Sequence, residues 1–155
     1  MKSILGISLE AIVKNITFQA KALKDRHTTE INAPVSYVCI FAQSEDEYKE
    51  LTEAVVKIGQ VIKKTDSGLL YRIPDLETAS GTLKILKIRI PDPTKPERGD
   101  ADFNVADYPS FKEKYLSRPG FKLITRPDME MIELMEPNCV VRTYFSNPPV
   151  DQQLL

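Results

Sequence analysis

The chain has 155 residues, 42% of them hydrophobic and 28% charged, a globular balance that excludes a disordered or collagen-like polymer. It suits one compact domain or two small modules sharing a core. Twenty-one basic residues against twenty-two acidic ones leave a net charge of −1, which excludes the cationic excess of a dedicated nucleic-acid binder. No apolar run approaches the roughly 20 residues of a membrane-spanning helix, and Met1 to Glu10 is too short and too interrupted for a signal-peptide core. Cys39 and Cys139 both fall in apolar, strand-like runs where buried reduced thiols are expected, so the sequence reads as cytoplasmic. In that setting the sequon Asn15-Ile16-Thr17 and the tripeptide Arg98-Gly99-Asp100 are chance matches.

Ser8 caps a run with apolar residues at Leu9, Ile12, Val13, Ile16, Ala20 and Leu23, the three-and-four spacing of one greasy helical stripe over residues 9–26. The charges Lys14, Lys21, Lys24 and Arg26 read as its wet face, and Lys24 to Asn32, with the only histidine, His27, as a polar linker. At Ser36 the period changes: residues 36–42 alternate as a strand. Ser44 and Glu47 form a capping box for a helix with Leu51, Ala54, Val55 and Ile58 on one face, stopped by Gly59. Strands follow at 60–64, 69–73 and 83–90, with a loop from Pro74 to Gly81. Three prolines between Pro91 and Pro96 break the chain. The order then recurs: a strand at 100–105, a short helix capped by Ser110, and strands at 121–125, 129–135 and 139–145.

An offset of 61 lays Gly59 to Asp66 on Gly120 to Pro127, and an offset of 63 lays Val38, Ile40 and Ala42 on Ala101, Phe103 and Val105. The pattern repeats although few identities do. The expected fold is therefore α+β: tandem βαβββ modules forming a curved mixed sheet, an incomplete barrel with helices outside, plus the N-terminal helix. The divisions are 1–33 (helix and linker), 34–91 (first module), 92–98 (linker), 99–147 (second module) and 148–155 (tail).

Such a βαβββ–βαβββ chain resembles the vicinal oxygen chelate superfamily of glyoxalases, bleomycin-resistance proteins and dioxygenases over residues 35–147. The segment Gly99-Asp100-Ala101-Asp102-Phe103-Asn104-Val105-Ala106-Asp107-Tyr108 looks like the family's module-opening strand and turn, and Tyr144-Phe145-Ser146-Asn147-Pro148 like its closing strand. The resemblance implies a curved sheet around a cleft. The family's metal enzymes carry His, Gln or Glu on the first and last strands of each module. Here those positions hold Tyr37 and Asp100, then Lys87 and Arg89, Arg142 and Tyr144. One aspartate among cations does not supply the converging donors a divalent ion requires, so neither a metal nor another cofactor is expected.

Alternation assigns the faces. Val38, Ile40, Ala42, Ala101, Phe103, Val105, Leu86, Ile88, Ile90, Val141 and Phe145 cover the helices. Tyr37, Cys39, Phe41, Lys87, Arg89, Asp100, Asp102, Asn104, Arg142 and Tyr144 face the cleft. On the strand 129–135 the pattern leaves open which of two sets faces the cleft: Met131, Glu133 and Met135, or Ile132 and Leu134.

Such a face suits a small anionic or aromatic molecule. Arg89 and Arg142 would grip a carboxylate or phosphate, and Tyr37, Phe41 and Tyr144 would stack on a ring. The competing reading has Asp100 and Asp102 neutralising Arg89 and Arg142 in a salt-bridged core. Cys39 has no histidine beside it and reads as an inert thiol. Asp128, Glu130, Glu133 and Glu136 read as a solvated hairpin edge. The expected function is metal-independent binding of a small molecule, without nucleic-acid or membrane partners. The alternatives are an interaction subunit, docking through the first helix or the sheet on another chain or in a homodimer, and a lyase or isomerase with Asp100 or Glu133 as base.

Overall fold

The computed structural model describes residues 3–4 and 7–155. Met1, Lys2, Leu5 and Gly6, part of the segment inspected for a leader, lie outside the described residues. A small hairpin, β1 (Ser3–Ile4) and β2 (Ile7–Ser8), leads into helix α1 (Leu9–His27). The Ser8 Oγ accepts the Ala11 N–H at 3.1 Å, satisfying an orphan donor of the first turn. The apolar stripe of α1 is buried in the chain's own core, packed on the sheet. Lys24 departs from the wet-face reading: its side chain is 0% exposed.

The remaining elements are β3 (Val35–Phe41), α2 (Glu45–Val56), β4 (Gln60–Thr65), β5 (Gly68–Thr78), β6 (Gly81–Arg89), β7 (Gly99–Phe103), α3 (Tyr108–Tyr115), β8 (Phe121–Arg126), β9 (Met129–Leu134), β10 (Val141–Asn147) and α4 (Val150–Leu154). Eight strands form one curved, unclosed sheet in the order β4-β5-β6-β3-β7-β10-β9-β8. In each half the first strand lies parallel to the last, β3 to β6 and β7 to β10, and the two middle strands extend the ladder outward antiparallel. The halves meet where β3 runs antiparallel to β7. The sheet face bearing Val38, Ile40, Leu86, Ile88, Ala101, Phe103 and Phe145 is buried in a core shared with residues of α1, α2 and α3. No described helix is long and apolar enough to cross a membrane.

Several local expectations are corrected. β5 runs through Pro74 to Thr78 where a loop was expected, because the proline sits at a register shift between Arg72 and Leu76, a bulge that needs no ladder N–H. The cap of α3 is Asp107, whose carboxylate accepts from the Ser110 N–H and hydroxyl at 3.1 and 2.9 Å, so Ser110 lies inside the helix. Ile58 and Ile90 lie beyond the ends of α2 and β6 and are exposed. Cys139 is half-buried in a turn beside Asn138, whose φ of 60° ends any strand there.

Candidate functional site

Residues paired across a ladder share a face of the sheet. One row runs Lys63, Leu70, Lys87, Cys39, Asp100, Arg142. The next runs Tyr37, Asp102, Tyr144, Glu133, Lys122. Phe41 stands opposite Arg89 on one side of these rows, and Ser146 opposite Met131 opposite Ile124 on the other. The register thus brings nine of the ten residues expected at the cleft to one face, and it settles β9: Met131 and Glu133 face the cleft while Ile132 and Leu134 are fully buried in the core. The tenth, Asn104, falls beyond the end of β7, where its side-chain amide donates to Asp151 at 3.3 Å, and it does not line the cleft.

The curvature of the sheet lets both edge strands, β4 and β8, border a single cleft of about 830 Å³, within the range of small-molecule pockets. Tyr37, Lys87, Arg89, Asp100, Asp102, Arg142 and Tyr144 line it. Cys39 and Phe41 lie beneath its floor, 1% and 4% exposed. The Phe41 ring is covered by the Arg89 guanidinium at 5.8 Å, so it is not free to stack on a ligand.

The salt-bridged core foreseen between aspartates and arginines is not what forms. Arg142 pairs with Glu97 at 2.6 Å and Glu133 at 3.4 Å. Arg89 reaches Asp92 at 3.8 Å, and its Nε has no hydrogen-bond partner. Asp102 accepts from the Ser146 N–H at 3.2 Å and from the Ser146 hydroxyl. Asp100, 8% exposed, has one carboxylate oxygen with no hydrogen-bond partner at all. Burial, reinforced by its neighbour Asp102, pushes the Asp100 carboxyl up to about 7 against the pull of Lys87, Arg142 and Arg89. Burial likewise raises Asp102 to about 7, despite its bonds from Ser146.

Lys87 donates to the Ser67 hydroxyl at 2.6 Å, and burial lowers its ammonium below the ordinary lysine value. The Tyr144 hydroxyl donates to Glu133 at 2.7 Å. Burial raises both the Tyr37 and Tyr144 phenols. The Cys39 thiol is pushed far up by burial, which removes the thiolate a nucleophile would need. Among the described residues no three His, Cys, Asp or Glu side chains group as metal ligands.

Sequence reasoning missed contributors from three places: the edge strands, the proline-rich segment and the tail. Lys63, Lys122 and Arg126 come from the edge strands, whose cleft faces only the curvature brings together. Lys95 projects from the proline-rich segment. The tail contributes Val150, Gln153 and Leu154 through α4, which is tied down by the Asp151 N–H donating to the Ser36 hydroxyl at 3.0 Å. Strand alternation could have indicated Lys63 and Lys122; a five-residue helix in a tail gives no sequence signal.

No family model and no curated protein matches the chain. Its fold is similar to that of the solved structure "Structural Genomics, Protein EC4020", with a TM-score of 0.66 and 8% sequence identity over 86% of this chain and 82% of that one.

Proposed function

We propose that this protein binds a small anionic molecule in the cleft without a metal ion, as a divergent, duplicated member of the vicinal oxygen chelate superfamily working in the cytoplasm. The observation that carries the reading is the sign of the cleft. Seven basic side chains and four acidic ones border it. Lys63, Lys87, Lys122 and Arg126 have no carboxylate partner among the described residues. Two of the four acids, Asp100 and Asp102, have carboxyls raised to about 7, so near neutrality they supply less than two negative charges. Unpaired cations around a concavity attract anions and hold them in competition with salt.

Thermal melting of the whole chain at low ionic strength, across a panel of carboxylates, phosphates and sulfate, tests this. At least one class raises the melting temperature, the rise shrinks with added salt, and Lys87→Gln diminishes it. A flat response to every member of the panel removes the proposal.

A second reading keeps one specific observation in its favour. A carboxyl near 7 inside a cleft matches the working range of a general acid or base, so Asp100 also suits a lyase or isomerase. Turnover that follows the protonation of a single group near pH 7 and disappears in Asp100→Asn would place the reaction ahead of simple binding.

A further inference from the structure

The cleft has two ends of different chemistry. β3 and β6 run together while β7 and β10 run against them. The C-terminal ends of β3 and β6, the proline-rich segment and the N-terminal ends of β7 and β10 therefore gather at one end. Lys63, Lys87, Arg89 and Lys95 border the cavity there. None of the three lysines has a carboxylate partner among the described residues. The opposite end receives the start of β9, the end of β8 and the tail helix. Ile124, Met129, Met131, Val150 and Leu154 border the same cavity there, with Lys122 one row away on β8 and Arg126 and Asp128 at the exposed hairpin tip.

Across the floor from Lys63 and Lys87, in the same ladder row and on the side toward β10 and β9, lies Asp100, a buried residue that borders the cavity and has one oxygen unpartnered. A bare inorganic anion at the lysine end would leave the part of this 830 Å³ space beside Met129 and Met131 filled by water alone. An apolar group there removes that surface from water, and the unbranched thioethers of Met129 and Met131 adapt to varied shapes.

Building on the anion-binding reading, we propose that the ligand is an amphipathic organic acid, its anionic head among Lys63, Lys87 and Arg89 and its apolar body lying past Asp100 along Met131 toward α4. The head is held by charge and hydrogen bonds, and the body selects for size. With its carboxyl protonated, Asp100 donates into the cavity toward a head-group oxygen; ionised, it opposes one.

Calorimetric titration of the full chain at pH 6 with sulfate, acetate, octanoate and octanamide tests this. Octanoate binds at least tenfold more tightly than acetate or sulfate, and at least tenfold more tightly than octanamide, which has the same body without the charge. Met131→Glu weakens octanoate at least tenfold and leaves sulfate within twofold; Met131→Gln serves where the charged variant does not fold. Lys87→Gln weakens all three anions. Equal affinity for sulfate, acetate and octanoate overturns the amphipathic class while leaving anion binding intact. Octanamide binding as tightly as octanoate overturns the assigned head. Failure of every probe at both pH 6 and pH 8 overturns the anion-binding reading and this inference with it.

Discussion

Arg142 stands opposite Asp100 in the parallel β7–β10 ladder, yet its guanidinium turns to Glu97 and Glu133 and leaves the aspartate without it. The choice divides the cleft floor into a part that holds the fold and a part that stays available. Glu97 lies just before β7 and Glu133 on β9, so the arginine ties a connecting segment to the second module. Asp100 is left as a buried carboxyl with one bare oxygen, a group whose charge state follows the solution rather than a fixed partner.

Arg142→Ala tests the first half of that division. Glu97 and Glu133 are 8% and 9% exposed, and removing the guanidinium leaves two buried carboxylates with only the Tyr144 hydroxyl donating to one of them. Breaking a buried ion pair from one side costs about 3–5 kcal/mol. Urea unfolding of the variant is expected to show a loss of that order, and a loss under about 1 kcal/mol would show that the arginine is not what secures this region.

Asp100→Asn tests the second half through pH. An acid whose carboxyl lies higher folded than unfolded binds more protons in the folded state between those two values, so stability falls as pH rises through that window. For Asp100 and Asp102 the window runs from the ordinary value of 3.8 up to about 7. Each such proton contributes a slope of up to about 1.4 kcal/mol per pH unit. Asp100→Asn removes one of them. The variant is expected to be the more stable protein at pH 8, with the difference shrinking toward pH 5; urea midpoints for the two proteins that run parallel across this range would contradict it.

The sequence made the faces legible but not the pairings. Strand alternation is local, so Tyr37, Lys87, Arg89, Asp100, Asp102, Arg142 and Tyr144 reached the cleft as expected. Which carboxylate Arg142 takes depends on a segment 45 residues away, and no spacing reports that. Lys24 shows the opposite failure. It stands four residues after Ala20, on the buried stripe, but its charge suggested solvent. Helical spacing was the better guide there, because the ammonium finds carbonyl acceptors on the turn that follows the helix. The proline in β5 misled for a related reason: it excludes a ladder bond at one residue, and a bulge lets the strand continue beyond it.

Gly99 reports how tightly the two halves meet. It pairs with Ile40 on one side and Val141 on the other, and a Cβ built on it would stand 2.2 Å from the Cys39 carbonyl oxygen and 2.8 Å from the Ile16 Cδ1 of α1. The isoleucine can rotate, but the carbonyl belongs to a central strand. Gly99→Ala is therefore expected to cost about 3 kcal/mol or more, the upper range for overpacked cores. Gly81, in a left-handed turn with φ of 95° and open space around its Cβ position, makes the control: Gly81→Ala carries only backbone strain, about 1–2 kcal/mol. Chemical denaturation that ranks the two in the reverse order would show that the β3–β7 junction yields more easily than its geometry implies.

Lys24 separates the worth of a buried stem from that of a buried charge. Its ammonium bonds to Asp25 at 2.7 Å and to the carbonyls of Glu30 and Ile31, and it lies 5.2 Å from the centre of the Phe103 ring. Burial lowers its affinity for the proton, with Asp25 opposing. Lys24→Met keeps most of the stem and removes the charge. Asp25 retains Lys21, and Ile31 is exposed enough for water to approach its carbonyl. Lys24→Ala removes the stem as well and opens a cavity beneath the helix end, which in buried sites costs about 2–5 kcal/mol. Alanine is thus expected to destabilise by at least about 2 kcal/mol more than methionine in urea unfolding. If the two variants lose stability equally, the ammonium and its carbonyl acceptors, not the packed stem, fix the end of α1 against the sheet.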